Sequence, residues 1–206
     1  MLSIAALAFL AVLSLRMAIE DRRERERAAR RELIVKTARK LAEAEGWEAV
    51  TTRRLSAEIE YSQPVLYKHF TGMEQIADAV ALDGFGELAE AMHDARDGAV
   101  AAGDALSDVA HAYLDFARSN PAVYDAMFTR ATALRFAADD TPPQLTAALA
   151  ELHQAVGVVA DEKDADSLTE VLWAALHGLV TLSRTERLRP GYEAERIRLL
   201  VHHVIG

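Results

Sequence analysis

Three observations predict an all-α chain. Glycine and proline are scarce, 10 and 5 among 206 residues, so few breaks interrupt regular structure. Ala, Leu, Glu and Arg, all strong helix formers, dominate the composition. Apolar residues recur three and four places apart along most of the chain, and no run reads convincingly as a strand. The apolar share of 51% can fill a core, and the length suits one or two domains. There is no cysteine, which excludes disulfide scaffolds, thiolate metal sites and cysteine nucleophiles and fits a reducing cytoplasm.

The chain opens on fifteen uncharged residues, MLSIAALAFLAVLSL, before Arg16. As a helix they span ~22 Å, short of the ~30 Å hydrocarbon core of a bilayer. No basic lead-in and no clear small-x-small cleavage site mark a signal peptide. Three readings stand: an over-extended reading frame whose working start is Met17, a native extension that packs or self-associates, and a membrane anchor. The following RRERERAARR interleaves Glu with Arg, which weakens attraction to anionic lipid and suits the solvated start of a long helix.

From about Ala28 to Glu45, Leu33, Ile34, Ala38, Leu41 and Ala42 predict an amphipathic helix, closed by Gly46 as a left-handed cap. Trp47 and Val50 close the bottom of a small core. Thr51 or Thr52 caps a second helix with Leu55 and Ile59 inward, and Ser62 caps a third with Pro64 in its first turn. Val65 and Leu66 give the third helix its inner contacts. Thr71-Gly-Met-Glu74 has the pattern of a capping box for a fourth helix running to about Ala91. Helices as short as the second and third are marginal alone. Joined by a three-to-four-residue turn and held by their neighbours, they form a helix-turn-helix, a rigid probe of groove width.

The remainder reads as a helical body. Residues 106, 109, 110, 113, 114, 116 and 117 form one stripe. Asn120-Pro121 starts a helix with Tyr124, Met127 and Phe128, and Thr141-Pro142-Pro143 starts one with Leu145, Leu149, Leu152 and Val156. Residues 160–167 read as a polar loop. Ser167-Leu-Thr-Glu170 reads as a second capping box, opening a helix to about Leu182, and a last helix carries Ile197, Leu200, Val201 and Val204. The expected division is an extension at 1–27, a helix-turn-helix DNA-binding domain at 28–75 and a helical body at 76–206.

The net charge of −9 hides an asymmetry. Residues 17–70 carry twelve Lys/Arg against ten Asp/Glu, and residues 71–206 carry ten against twenty-two. A mildly basic head on an acidic body leaves only the head as a docking surface for phosphate.

Over about 50 residues, RELIVKTARKLAEAEGWEAVTTRRLSAEIEYSQPVLYKHFTGMEQI resembles the tetracycline-repressor (TetR) family of bacterial transcriptional regulators. YLDFARSNPAVYDAMF and WAALHGLV resemble the C-terminal domain of a subset with a Trp-x-x-x-His-Gly signature. The resemblance implies a dimeric repressor of double-stranded DNA whose body, 76–206, is a ligand-responsive regulatory and dimerisation domain, and a small apolar molecule is the expected ligand. Carried over by position, Thr52 and Arg53 would meet phosphate or a base edge. Ser62, Gln63, Pro64 and Val65 would line the recognition face, and Tyr67, Lys68 and His69 would contact the backbone. Their chemistry suits this: Gln63 can pair with adenine, Pro64 or Val65 can touch a thymine methyl, and Lys68 is a point charge for phosphate. Two positions depart from the family pattern. Glu60 stands where Gly is usual, at a strain cost of ~1 kcal/mol if its backbone is left-handed. Met73 stands where Lys is common.

Tyr67 is expected to pack its ring inward while its hydroxyl reaches a phosphate, and His69 to be a neutral hydrogen-bonding partner. Tyr113, Phe116, Tyr124, Met127, Phe128, Trp173 and His177 fit either an apolar ligand pocket or ordinary core. Trp173 and His177, at i and i+4, fit equally a packed pair with a buried imidazole, Gly178 permitting close helix approach. The two last helices, about 167–183 and 192–204, are the expected homodimer interface. No cofactor, metal set or catalytic constellation is expected, and an enzyme is a distant alternative. A nearer alternative is a degenerate family member acting as a protein-interaction or membrane-tethered module.

Overall fold

The computed structural model describes residues 4–130, 134, 141–160 and 164–205, with side chains at 4–15, 102, 103, 204 and 205 left aside. Nine α-helices and a short 3-10 turn, with no strand, make up the described residues: α1 (Ile4–Glu45), the turn (Trp47–Ala49), α2 (Thr52–Glu58), α3 (Gln63–Tyr67), α4 (Met73–Gly98), α5 (Ala102–Ser119), α6 (Pro121–Phe128), α7 (Pro143–Gly157), α8 (Ala165–Arg184) and α9 (Glu193–Ile205). The chain divides into two units, residues 1–76 and 77–206.

α1 is longer than the apolar stripe alone predicts. It holds 42 residues, and residues 4–15 of the uncharged opening and the charged run after them are one helix. No glycine or proline interrupts it, and i,i+4 pairs line its exposed surface: Arg16 with Glu20 at 3.3 Å, Arg22 with Glu26 at 2.9 Å, Lys36 with Glu32 at 2.5 Å. No helix among the described residues is long and apolar enough to cross a membrane.

In the first unit Ile34, Val35, Ala38, Leu41 and Ala42 of α1 are buried, with Val50, Leu55, Ile59, Leu66 and Phe70. Leu33 is 42% exposed, contrary to the expected stripe. At 100° per residue it sits well off the Ile34–Ala38–Leu41 line, and Val35 takes the inward place. Gly46 has φ 83, a value that favours glycine, with ψ 162 instead of the tighter left-handed turn.

The caps differ from expectation in detail. The Thr51 hydroxyl accepts from the Arg54 amide at 3.2 Å, as a cap should. Ser62 holds the cap position of α3, but its side chain makes no capping bond. α4 starts at Met73, so Gln75 rather than Glu74 reaches back, its carbonyl accepting from the Thr71 amide at 2.9 Å. At α8 the cap is Asp164, which accepts from the Asp166 amide at 3.2 Å and the Ser167 hydroxyl at 2.6 Å. Ser167 therefore lies inside the helix, and 161–163 of the expected loop lie outside the described residues.

The core of the second unit is formed from α4 (Phe85, Leu88, Met92), α5 (Leu106, Val109, Tyr113), α6 (Val123, Tyr124), α7 (Leu145, Leu152), α8 (Leu172, Leu176) and α9 (Ile197). Among the described residues of the chain, the glycine that a neighbouring helix closely approaches is Gly84, and none lies against Gly178. A Cβ at Gly84 would sit 2.3 Å from Val123 and 2.9 Å from Met127, whereas Gly178 faces open space.

Candidate functional site

The geometry of the first unit explains how five residues form a stable helix. Leu66 and Phe70, 1% and 2% exposed, anchor α3 from within, and the Ser62 carbonyl accepts from the Val65 amide at 2.9 Å. The turn before it is a tight helix C-terminus: the Tyr61 amide donates to the Ser56 carbonyl at 3.0 Å across Glu60, which has φ 55. The left-handed backbone expected of Glu60 is thus present, and glutamate bears its strain. Arg54 is occupied in holding Glu45 at 2.9 Å and Glu58 at 3.2 Å, which ties α2 to α1. Its neighbour Arg53 points to solvent, and Thr52 is half-buried.

Ser62, Gln63, Pro64 and Lys68 are exposed around α3, and Val65 is half-buried. Tyr67 is 53% exposed, which corrects the expectation of an inward ring. Leu66 takes the inward position of so short a helix, and Phe70, just past its end, fills the core beside it. His69 is half-buried, and its Nδ1 is buried without a hydrogen-bond partner. Burial lowers its pKa first, and the charges of Arg27, Arg30, Arg31 and Lys68 lower it further, so the ring is neutral near pH 7. The His69 carbonyl accepts from Arg31 at 3.1 Å, while the Arg31 guanidinium lies 4.1 Å over the Phe70 ring. Sequence reasoning missed Arg31. The signal was its place three residues before the buried Ile34.

In the second unit the aromatic set converges on one hydrogen-bonded chain. The Tyr113 and Tyr124 hydroxyls lie 2.9 Å apart, and the Tyr124 hydroxyl lies 2.7 Å from His177 Nδ1. Trp173 also hydrogen-bonds Tyr113, and its indole N–H can only donate. The order that leaves no hydroxyl proton idle runs Trp173 to Tyr113, Tyr113 to Tyr124, and Tyr124 to His177. It requires a neutral imidazole accepting at Nδ1, and burial does lower the His177 pKa. Burial pushes the Tyr113 hydroxyl up to about 12 and raises Tyr124 as well. Phe128 packs beside this chain, 4.7 Å from Tyr124, 5.1 Å from His177 and 6.2 Å from Trp173 between ring centres.

Next to it lies a cavity of only about 10 Å³, lined by Phe85, Leu88, Met92, Tyr113, Phe128, Ala148, Leu149, Leu152 and Trp173. Of the seven candidate pocket residues, Tyr113, Phe128 and Trp173 line it. Phe116, Tyr124, Met127 and His177 do not. The contributions of α4 and α7 were not legible as lining because apolar stripes on those helices read simply as core. Among the described residues no group of His, Asp and Glu is placed to hold a metal.

A helix-turn-helix with an outward-facing third helix, followed by an all-helical unit, defines a transcription regulator of the helix-turn-helix class. Residues 34–80 match the family described as bacterial regulatory proteins, tetR family, and residues 106–204 match the tetracyclin repressor-like C-terminal domain. The chain is 31% identical over 157 residues to YobS, an uncharacterized HTH-type transcriptional regulator of Bacillus subtilis (strain 168), covering 75% of this chain and 78% of that one. The chain belongs to the tetR family of bacterial regulatory proteins, and is a regulator of transcription rather than an enzyme. Two solved structures share the fold. A Rhodococcus sp. RHA1 protein of unknown function has TM-score 0.68 and 23% identity, over 85% of this chain and 93% of that one. A tetR-family regulatory protein from Rhodococcus RHA1 has TM-score 0.59 and 20% identity, over 84% and 96%.

Proposed function

We propose that the chain is a ligand-responsive repressor that binds a near-palindromic operator as a homodimer. The observation that carries this reading is the division of labour along α3 and the turn that follows it. Leu66 and Phe70 are spent on the core, while Gln63, Pro64 and Lys68 stand exposed. Gln63 and Pro64 would read base edges, and Arg53, Tyr67 and Lys68 would bind backbone phosphates.

A second copy would pack on α8 and α9. Val171, Ala175, Gly178, Leu179 and Leu182 follow one helical stripe on α8, beside the buried line of Leu172, Leu176 and Val180. Val171 is 60% and Leu182 39% exposed, Leu199 of α9 is 43% exposed, and the open space at Gly178 leaves room for a partner helix. Two heads would then meet successive major grooves ~34–36 Å apart.

The effector would be a small apolar molecule that enlarges the cavity beside Tyr113, Phe128 and Trp173. α4 would carry the effect, since it supplies Phe85, Leu88 and Met92 to the cavity and its first residues to the DNA-binding unit. A coupling of ~1–3 kcal/mol would weaken operator binding ~5–150-fold.

The test separates phosphate contact from base reading. Lys68→Ala is expected to weaken binding to all duplexes alike and to flatten the salt slope by about 1, while Gln63→Ala relaxes sequence preference. An unchanged salt slope for Lys68→Ala counts against its role.

A further inference from the structure

We propose that Arg23, Arg27 and Arg30 of α1 form a second phosphate-binding track, extending the DNA footprint outward from the end of α3. This rests on the reading of α3 as the element that enters DNA. The periodicity of α1 places the track. Ile34, Ala38 and Leu41 mark its inward side, at 0%, 0% and 6% exposure. Counting back from Ile34 by threes and fours along that side gives Arg30 and Arg31, Arg27 and Arg23. Residues 16–33 are exposed throughout, so these arginines continue the line of the core after the core has ended.

Arg31 shows where the line leaves the head. It donates to the His69 carbonyl at 3.1 Å and covers the Phe70 ring, at the C-terminal end of α3 and beside exposed Lys68. The charges of Arg27 and Arg30 converge there too, since both act on His69 with Arg31 and Lys68, after burial. From Arg23 to Arg30 the helix rises ~10 Å, about the axial length of three phosphates on one strand of duplex.

The acids of this stretch do not cancel the track. Glu20 is held by Arg16 at 3.3 Å and Glu26 by Arg22 at 2.9 Å, both arginines outside the proposed set. The Glu26 carboxyl is kept below its usual range first by its bond to Arg22, with smaller help from Arg30 and Arg23. Asp21 and Glu24 remain, Glu24 at the margin of the line. Among the described residues Arg23, Arg27 and Arg30 close no ion pair. A charged surface whose cations are left open beside a DNA-entering helix fits a polyanion.

Phosphate contacts are independent of sequence, so sheared mixed-sequence duplex DNA is the probe, titrated against the full chain at several low salt concentrations. Three proteins are compared: wild type, Lys68→Ala, and the triple variant Arg23→Gln/Arg27→Gln/Arg30→Gln. The triple variant is expected to bind ~10–100-fold more weakly and to lose ~2–3 units of slope in log K against log salt, at about 0.9 per lost contact. Its thermal midpoint should match wild type, because all three side chains are exposed. A triple variant with wild-type affinity and slope, while Lys68→Ala loses both, overturns the track and leaves α3 in place. No binding by wild type at the lowest salt overturns the track together with the reading it rests on.

Discussion

The head and the body use polar chemistry in opposite ways. In the first unit, α2 and α3 seal a small core with Leu55, Ile59, Leu66 and Phe70, and turn Arg53, Gln63 and Lys68 out to solvent. In the second unit the informative polar groups point inward. Tyr113, Tyr124, Trp173 and His177 satisfy one another in the core, and the adjoining cavity has room for about one water. An outward surface is ready to bind as it stands. An inward one must first give up its internal bonds or move a wall, which makes it suited to a switch.

Tyr124→Phe should break this contrast most strongly. The ring stays, but the Tyr113 hydroxyl and His177 Nδ1 each lose the partner they now share. Stability should fall by about 1–3 kcal/mol in chemical denaturation, the range for a buried polar group left unmade. No loss would mean that the chain of hydroxyls contributes little to the body. Glu60→Gly sharpens the other side. At φ 55 glycine carries no Cβ strain, so the head should gain ~1 kcal/mol, offset in part by the freer unfolded chain. DNA affinity should rise as well, because a negative charge leaves the turn before α3.

The smallest expected effect is on pH dependence. His69 and His177 both have lowered folded pKa values, burial being the first cause in each. The unfolded chain therefore takes up protons first as pH falls through ~6.5, and stability present above that value is lost on acidification. A thermal midpoint followed from pH 7.5 to 5.5 should drop, by about 2–4 °C for each kcal/mol lost. His177→Gln should drop less over the same interval; an equal drop would remove His177 from the account.

The sequence carried the fold because helical spacing settles most inward positions. Leu55, Ile59 and Leu66 read as core and are core. It was weaker where a choice depends on one extra turn of helix. α4 begins one residue later than the capping-box pattern implied, so Gln75 does the work expected of Glu74. Asp164 likewise displaces Ser167 because α8 starts earlier. Gly178 and Gly84 look alike in sequence, and only the packing of α6 shows which one a side chain would crowd. The exposed positions of α3 were legible because a five-residue helix with Leu66 turned inward leaves most of its surface to solvent. The cavity was not, since apolar stripes on α4 and α7 look the same whether or not a gap lies between them.

The most direct measurement is a gel-shift titration of the chain against its own upstream intergenic DNA and a scrambled duplex, at two salt concentrations. The account predicts tighter binding to the intergenic duplex and weakening of both complexes as salt rises. Equal, salt-insensitive binding to the two duplexes would contradict the claim that the exposed face of α3 reads DNA.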